Sequence, residues 1–105
     1  SRTMIRQLEE DQKRRSKRAL TDAIDRALID LLAIYRDVLM VQVGGDGELI
    51  NTDLSDLVHE IAQDSTPRQT LARVDHIETA RKRLVSNGNP LLVLEDMAIS
   101  LRPQA

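Results

Sequence analysis

At 105 residues the chain has the length of one compact domain, and it lacks the cysteines that disulfides and thiolate metal sites require. Phe and Trp are absent and Tyr35 is the only aromatic residue, so the core must be built from Leu, Ile, Val, Ala and Met, which favours helices packed on helices over a strand-rich fold. The net charge of -2 is unevenly distributed: residues 1–18 carry seven Lys or Arg against three acids (+4), and residues 19–105 carry eight Lys or Arg against fourteen acids (-6). Neither value alone identifies a partner.

The first predicted helix spans residues 3–43. From Leu20 onward its apolar residues recur at every third or fourth position, which places them on one side of a helix: Ile24, Leu28, Leu31, Tyr35 and Val38. Gly44 and Gly45 follow the last apolar turn and predict its end, because glycine readily adopts the left-handed conformation that closes helices. The charged segment 1–18 contains neither Pro nor Gly, so it either continues this helix or joins it with a slight bend.

Three shorter helices are predicted at about residues 53–64, 67–86 and 90–102. The third opens with Thr66, Pro67 and Gln69, a capping-box spacing with proline at the first helical position. It is expected to end at Asn87-Gly88 and to bury one narrow face: Leu71, Val74, Ile77, Ala80 and Leu84. The fold class is therefore all-α, a bundle of four to five helices in a single domain over residues 1–105.

The last helix, which Asn89 and Pro90 begin, carries two apolar faces. One wide side holds most of its apolar residues: Leu91, Val93, Leu94, Met97, Ala98 and Leu101. Leu92 and Ile99 form a separate patch beyond Glu95. A similar minor line on the first helix contains Ile29, Ala33 and Met40. Such second faces indicate either deep burial or a subunit interface, and the sequence leaves both interpretations open.

The sequence offers no clear catalytic, cofactor or metal site. The stretch Gly44 to Leu49 lacks the glycine spacing of dinucleotide-binding loops and the Lys of a phosphate loop. His59 and His76 have no second ligand at metal-binding spacing, and no Ser or Thr has a neighbouring His base. We therefore expect no enzymatic activity and no cofactor. Without a signal peptide or an apolar run of roughly 18 residues, a cytoplasmic location without a membrane span is predicted.

The charged segment 1–18 has two interpretations. Five basic residues could neutralise phosphates and bind nucleic acid: Lys13, Arg14, Arg15, Lys17 and Arg18. However, acids lie four positions before several of these bases, which favours a solvated helix that pairs its own charges. No aromatic residue accompanies the basic run to stack on bases. Nucleic-acid binding is therefore the alternative function rather than the preferred one.

Several segments together resemble the C-terminal domain of bacterial DNA polymerase III clamp-loader delta-prime subunits and, more loosely, that of gamma/tau. The resemblance covers residues 20–102 and rests on "LLAIYRDVLM", on "LIN" after a short loop, and on "IETARKRLVSNGNPLLVLEDMAISL". Its most specific pieces are Tyr35-Arg36-Asp37, Asn51, Asn87 and Asn89-Pro90, followed by an apolar helix.

The resemblance implies a helical collar domain through which clamp-loader subunits pack into a ring that loads the sliding clamp onto DNA. It also implies that the chain is the C-terminal fragment of a longer AAA+-type protein, whose nucleotide, zinc and arginine-finger residues belong to preceding domains. The expected partners are gamma/tau and delta through helix packing, with the sliding clamp and DNA reached through the whole complex. The predicted interface residues are Leu92 and Ile99, then Ile29, Ala33 and Met40.

Overall fold

The computed structural model describes residues 1–86 and 88–102 and forms an all-α bundle. In chain order it contains α1 (Arg2–Gln42), a 3-10 turn (Thr52–Leu54), α2 (Ser55–Asp64), α3 (Pro67–Val85) and α4 (Pro90–Ser100). The predicted all-α fold with a long first helix is confirmed, and the helix bounds agree with the prediction within about two residues. Asn87, which was predicted to end the third helix, lies outside the described residues.

The unbroken helix α1 sets the length of the molecule. Its 41 residues rise about 60 Å at about 1.5 Å each, close to the longest extent of 65 Å. The charged segment 1–18 is therefore part of the same continuous helix. At its C-terminal end Gly44 has a φ of 71°, and Gly45 N donates to Met40 O at 3.0 Å. This Schellman-type closure satisfies carbonyls of the last helical turn and turns the chain into the following loop.

Side-chain caps define the starts of α3 and α4. Thr66 Oγ1 accepts from Gln69 N at 3.2 Å, while Gln69 Oε1 accepts from Thr66 N at 2.9 Å, so the predicted capping box is confirmed. Asn89 Oδ1 accepts from the backbone N–H groups of Leu91 and Leu92 at 3.1 and 3.3 Å, directly before Pro90 at the first helical position. Each cap pairs N–H groups that have no partner within the helix.

The core lies where α3 and α4 pack on the C-terminal half of α1. Its buried residues come from these three helices: Ile24, Leu28, Leu32, Ile77, Ala80, Leu84, Val93 and Met97. The short helix α2 packs against the end of α1, where Val58 and Val38 are fully buried. The sequence placed Leu71 on the buried face of α3, and this prediction is wrong: Leu71 is exposed and the preceding Thr70 is buried instead.

Candidate subunit interface

Helix α4 leaves several of its large apolar side chains exposed. Its buried side chains are confined to one stripe, Pro90, Val93 and Met97. Leu92 and Ile99, the first predicted interface pair, are 57% and 59% exposed. They lie seven residues apart on the same side of the helix. Their exposure fits an interface role, which stays a prediction.

The wide apolar side of α4 is only partly buried. Leu91 and Leu94 were placed on that side, yet both are exposed, as is Ala98. The reason is that α4 packs mainly on α3 and only to a smaller extent on α1, so neighbouring helices cover a single stripe. The exposed apolar surface of α4 is therefore larger than the two-residue patch that the sequence indicates.

The minor line on α1 is also accessible. Ile29 is exposed, Ala33 is half-buried and Met40 is exposed on the same side of the helix, turned away from the core. Met40 lies against the loop that follows α1. Its Sδ is the atom nearest to the position that a Cβ on Gly45 would occupy. Met40 lines an open cavity of about 350 Å³ together with Leu39 of α1, with Val43 at the end of α1 and with Ile50 of the loop. Part of the Met40 surface is thus covered by this chain itself.

The loop 44–51 is held against α1 by the carboxylate of Asp37. Asp37 is only 3% exposed. Its Oδ1 accepts from Ile50 N at 2.8 Å, and its Oδ2 accepts from Asn51 N and Asn51 Nδ2 at 2.8 and 3.0 Å. Asp37 and Asn51 are two of the residues that carry the resemblance, and the structure brings them into direct contact. This contact was not predicted from the sequence, in which the available signals are an acid on α1 and an Asn after a glycine-rich loop.

The hydrogen bonds also determine the ionisation of Asp37. Burial alone would raise the pKa of its carboxyl group, but the N–H groups of Ile50 and Asn51 and the Asn51 side chain together outweigh burial and hold the pKa below its usual value. The charged form is therefore the stable one in the fold, and it fixes the path of the loop.

A second polar contact joins the end of α1 to the junction between α2 and α3. The Thr70 hydroxyl donates to Gln42 Oε1 at 2.7 Å, and Gln42 Nε2 donates to Ser65 O at 3.0 Å. Because the hydroxyl of the fully buried Thr70 finds this partner, a polar residue replaces Leu71 on the inner face of α3. The contact places the α2–α3 junction relative to α1.

An ion pair connects α3 with the middle of α1. Arg81 Nε donates to Asp25 Oδ1 at 2.8 Å, and a second guanidinium nitrogen donates to Asp25 Oδ2 at 3.3 Å. The hydrogen bond to Asp25 raises the pKa of Arg81. Both side chains are about one-third exposed, so solvent weakens the attraction and the pair mainly orients α3.

The basic residues of the alternative function all lie on the exposed N-terminal half of α1: Lys13, Arg14, Arg15, Lys17 and Arg18. Three of them, Arg14, Lys17 and Arg18, line an open cleft of about 300 Å³ beside Leu84 and Gly88. The predicted salt bridges between residues four positions apart are not observed within residues 1–86 and 88–102. In the charged segment, the observed salt bridge joins Asp11 to Arg14, three positions along the helix. Long exposed side chains gain little from a fixed pair, which accounts for the difference.

The two histidines lie on α2 and α3, and Ser55 Oγ lies 3.4 Å from His59 Nδ1, so one Ser does have a neighbouring His, contrary to the prediction. His59 Nδ1 lies 2.7 Å from Ser55 O within its own helix, and His76 is exposed on α3. Over the described part of the chain, no group of three or more His, Cys, Asp or Glu could hold a metal ion. In the same residues, no helix has the length and hydrophobicity to span a bilayer.

Comparison with known proteins identifies the family. Residues 3–102 match the family model that describes the C-terminal region of the DNA polymerase III delta subunit. The chain is also 36% identical over 72 residues to DNA polymerase III subunit delta' of Bacillus subtilis (strain 168), a match that covers 69% of this chain and 22% of that protein. The chain thus spans under a quarter of the length of this relative. No solved structure matches. The resemblance to delta-prime is confirmed, and the chain belongs to the family formed by the C-terminal domains of DNA polymerase III delta subunits.

Proposed function

We propose that the chain is a non-catalytic assembly domain of a DNA polymerase III clamp loader, belonging to a delta-prime-type subunit. In this role it packs against other clamp-loader subunits, gamma/tau and delta, and so supports loading of the sliding clamp during DNA replication. Contact with the clamp and DNA is indirect, through the whole complex. Family membership and the delta' relative support this proposal. A cytoplasmic location and ATPase-like domains before Ser1 remain predictions.

The observation that carries the proposal is the exposed apolar side of α4. Four large apolar side chains on this short helix are more than one-third exposed: Leu91, Leu92, Leu94 and Ile99. Burying a Leu or Ile side chain completely stabilises by about 1.5 to 3 kcal/mol relative to full exposure. Because Leu92 and Ile99 are already partly covered, each would contribute about 1 kcal/mol on docking against an apolar partner surface.

The mechanism is helix packing, and charge directs it at the edges. Glu95 separates Leu92 and Ile99 from the rest of the apolar side, and Asp96 approaches Arg83 of α3 at 3.9 Å. An apolar centre with acidic residues beside it fits a partner helix that presents aliphatic side chains and a basic margin. Family membership gives no support to the alternative of a nucleic-acid-binding module, and no contact described above favours it.

The proposal is tested by mixing the chain with gamma/tau and measuring the mass of the complex by light scattering. The variant Leu92→Glu/Ile99→Glu should lose assembly, because each carboxylate would have to be desolvated in the interface. A matched control is Leu71→Glu/Val85→Glu, which adds the same charge at two exposed apolar positions of α3. Arg83 marks the side of α3 that faces α4, since it approaches Asp96. At about 100° per residue, positions 71 and 85 lie on the other side of α3. Assembly of the α4 variant at wild-type strength would refute the proposal.

A further inference from the structure

A straight line of eight residues runs along the outward side of α1, and we name it the outward stripe. At about 100° per residue its members fall within a sector of about 60°. The stripe consists of Met4, Leu8, Asp11, Arg15, Asp22, Arg26, Ile29 and Ala33.

Six of the eight residues of the outward stripe are exposed, and the other two, Asp11 and Ala33, are half-buried. The core residues of α1, such as Ile24 and Leu28, lie on the opposite side of the helix, where α3 and α4 pack. Met4 and Leu8 are 63% and 64% exposed, and Ile29 is also exposed. This side of α1 is therefore open to a second long helix.

The chemistry of the stripe is complementary to itself when it is reversed. From the N-terminal end it reads apolar, apolar, acid, base, acid, base, apolar, apolar. We propose that the outward stripe binds the outward stripe of a second copy of this chain, antiparallel, about a twofold axis between Arg18 and Ala19. In that register every member faces a complementary one: Met4 faces Ala33, Leu8 faces Ile29, Asp11 faces Arg26, and Arg15 faces Asp22.

Charge selects this arrangement over others. A parallel pair in register would place Asp11 against Asp11 and Arg15 against Arg15, which repels. In the antiparallel register the twofold axis produces four opposite-charge pairs and four apolar contacts. Exposed ion pairs are worth at most about 1 kcal/mol each, so they fix the register while the apolar ends supply most of the affinity. The result is a weak, concentration-dependent dimer.

The charges at the centre of the stripe are free to make these contacts. In the described residues, Arg15, Asp22 and Arg26 take part in no salt bridge, while Asp11 contacts Arg14 at the surface. In each chain of the antiparallel dimer, therefore, only the exposed pair between Asp11 and Arg14 has to exchange partners. It assigns Ile29 and Ala33 to a second copy, and it does not depend on the proposed role of α4.

Charge reversal in two separate chains tests this dimer. Sedimentation velocity of the 105-residue chain should show a species of twice 11.8 kDa that grows with concentration. Arg15→Asp alone and Asp22→Arg alone should each weaken the dimer by at least about tenfold, because both place like charges opposite each other. An equimolar mixture of the two variants should recover the wild-type dimer, since residue 15 of each chain then again meets an opposite charge at residue 22 of the other. Lys17→Asp makes the same charge change off the stripe and should leave the dimer intact.

Cross-linking measures the register independently, because the natural chain contains no cysteine. A mixture of Leu8→Cys and Ile29→Cys chains should form an intermolecular disulfide. Leu8→Cys alone should not, since the two sulfurs would lie about 30 Å apart along the helices. A wild-type chain that stays monomeric at every concentration, or a mixture of charge variants that fails to recover the dimer, would overturn the proposal. Neither outcome concerns the α4 variants, so the two interfaces are tested separately.

Discussion

Replacing Asp37 by Asn removes the charge that holds the loop 44–51 on α1 while keeping the size of the side chain. The carboxylate accepts three hydrogen bonds, two of them from the backbone of Ile50 and Asn51. An amide retains one acceptor oxygen and turns an NH2 group toward a backbone N–H. Hydrogen bonds to charged groups contribute about 1.5 to 3 kcal/mol, so we expect a loss of about 2 kcal/mol in the free energy of unfolding.

Urea denaturation followed by circular dichroism measures this loss. For a chain of this size, about 2 kcal/mol lowers the unfolding midpoint by about 1 to 2 M urea. The matched control is Asp30→Asn, which neutralises an exposed acid on the same helix and should change the stability by less than about 0.5 kcal/mol. If the unfolding free energies of Asp37→Asn and Asp30→Asn differ by less than about 0.5 kcal/mol, the carboxylate does not hold the loop.

The difference in unfolding free energy between wild type and Asp37→Asn should depend on pH in a defined way. Because the fold lowers the pKa of Asp37, the carboxylate contributes its full stability above the unfolded pKa, about 3.9 for Asp, and loses it as the pH falls through the lower folded value. The difference in unfolding free energy between wild type and Asp37→Asn should therefore stay constant from pH 7 to about pH 5 and shrink below about pH 3.9. A difference that grows on acidification would contradict the direction of the shift.

Substitutions at three further positions test other contacts, each by urea denaturation. Thr70→Val keeps the shape of a fully buried side chain but leaves Gln42 without its hydroxyl partner, and it should cost about 1 to 2 kcal/mol; an unchanged midpoint would show that the contact adds nothing. Asn89→Ala removes the cap of α4 and should cost about 1 kcal/mol, whereas Asn89→Ser should restore most of it. Arg81→Met removes the partly exposed pair with Asp25 and should cost less than about 1 kcal/mol, a difference that about 0.5 M NaCl should reduce.

Local signals in the sequence were sufficient for the helices. The box formed by Thr66 and Gln69 and the cap Asn89 depend on residues within three positions of each other, so their spacing alone predicts the hydrogen bonds that the structure shows. The spacing of Ile24 and Leu28 likewise predicts the buried side of α1. These features require no knowledge of where the other helices lie.

Contacts between distant residues could not be predicted in the same way. The burial of Asp37 depends on the path of a loop that returns Ile50 and Asn51 to α1, and helical periodicity contains no information about that path. Periodicity also gives the direction of a side chain but not how far a neighbouring helix extends over it. Leu71 and Leu91 therefore point along predicted apolar faces and yet remain exposed.

The most direct test of the central claim is the mass of the mixture of this chain with gamma/tau, measured by light scattering for wild type, Leu92→Glu/Ile99→Glu and the control Leu71→Glu/Val85→Glu. We expect a complex with wild type and with the control, and separate components with the α4 variant, provided that all three chains have the same helical circular dichroism. A complex of wild-type mass and strength with the folded α4 variant would contradict it, because the exposed apolar side of α4 would then have no part in assembly.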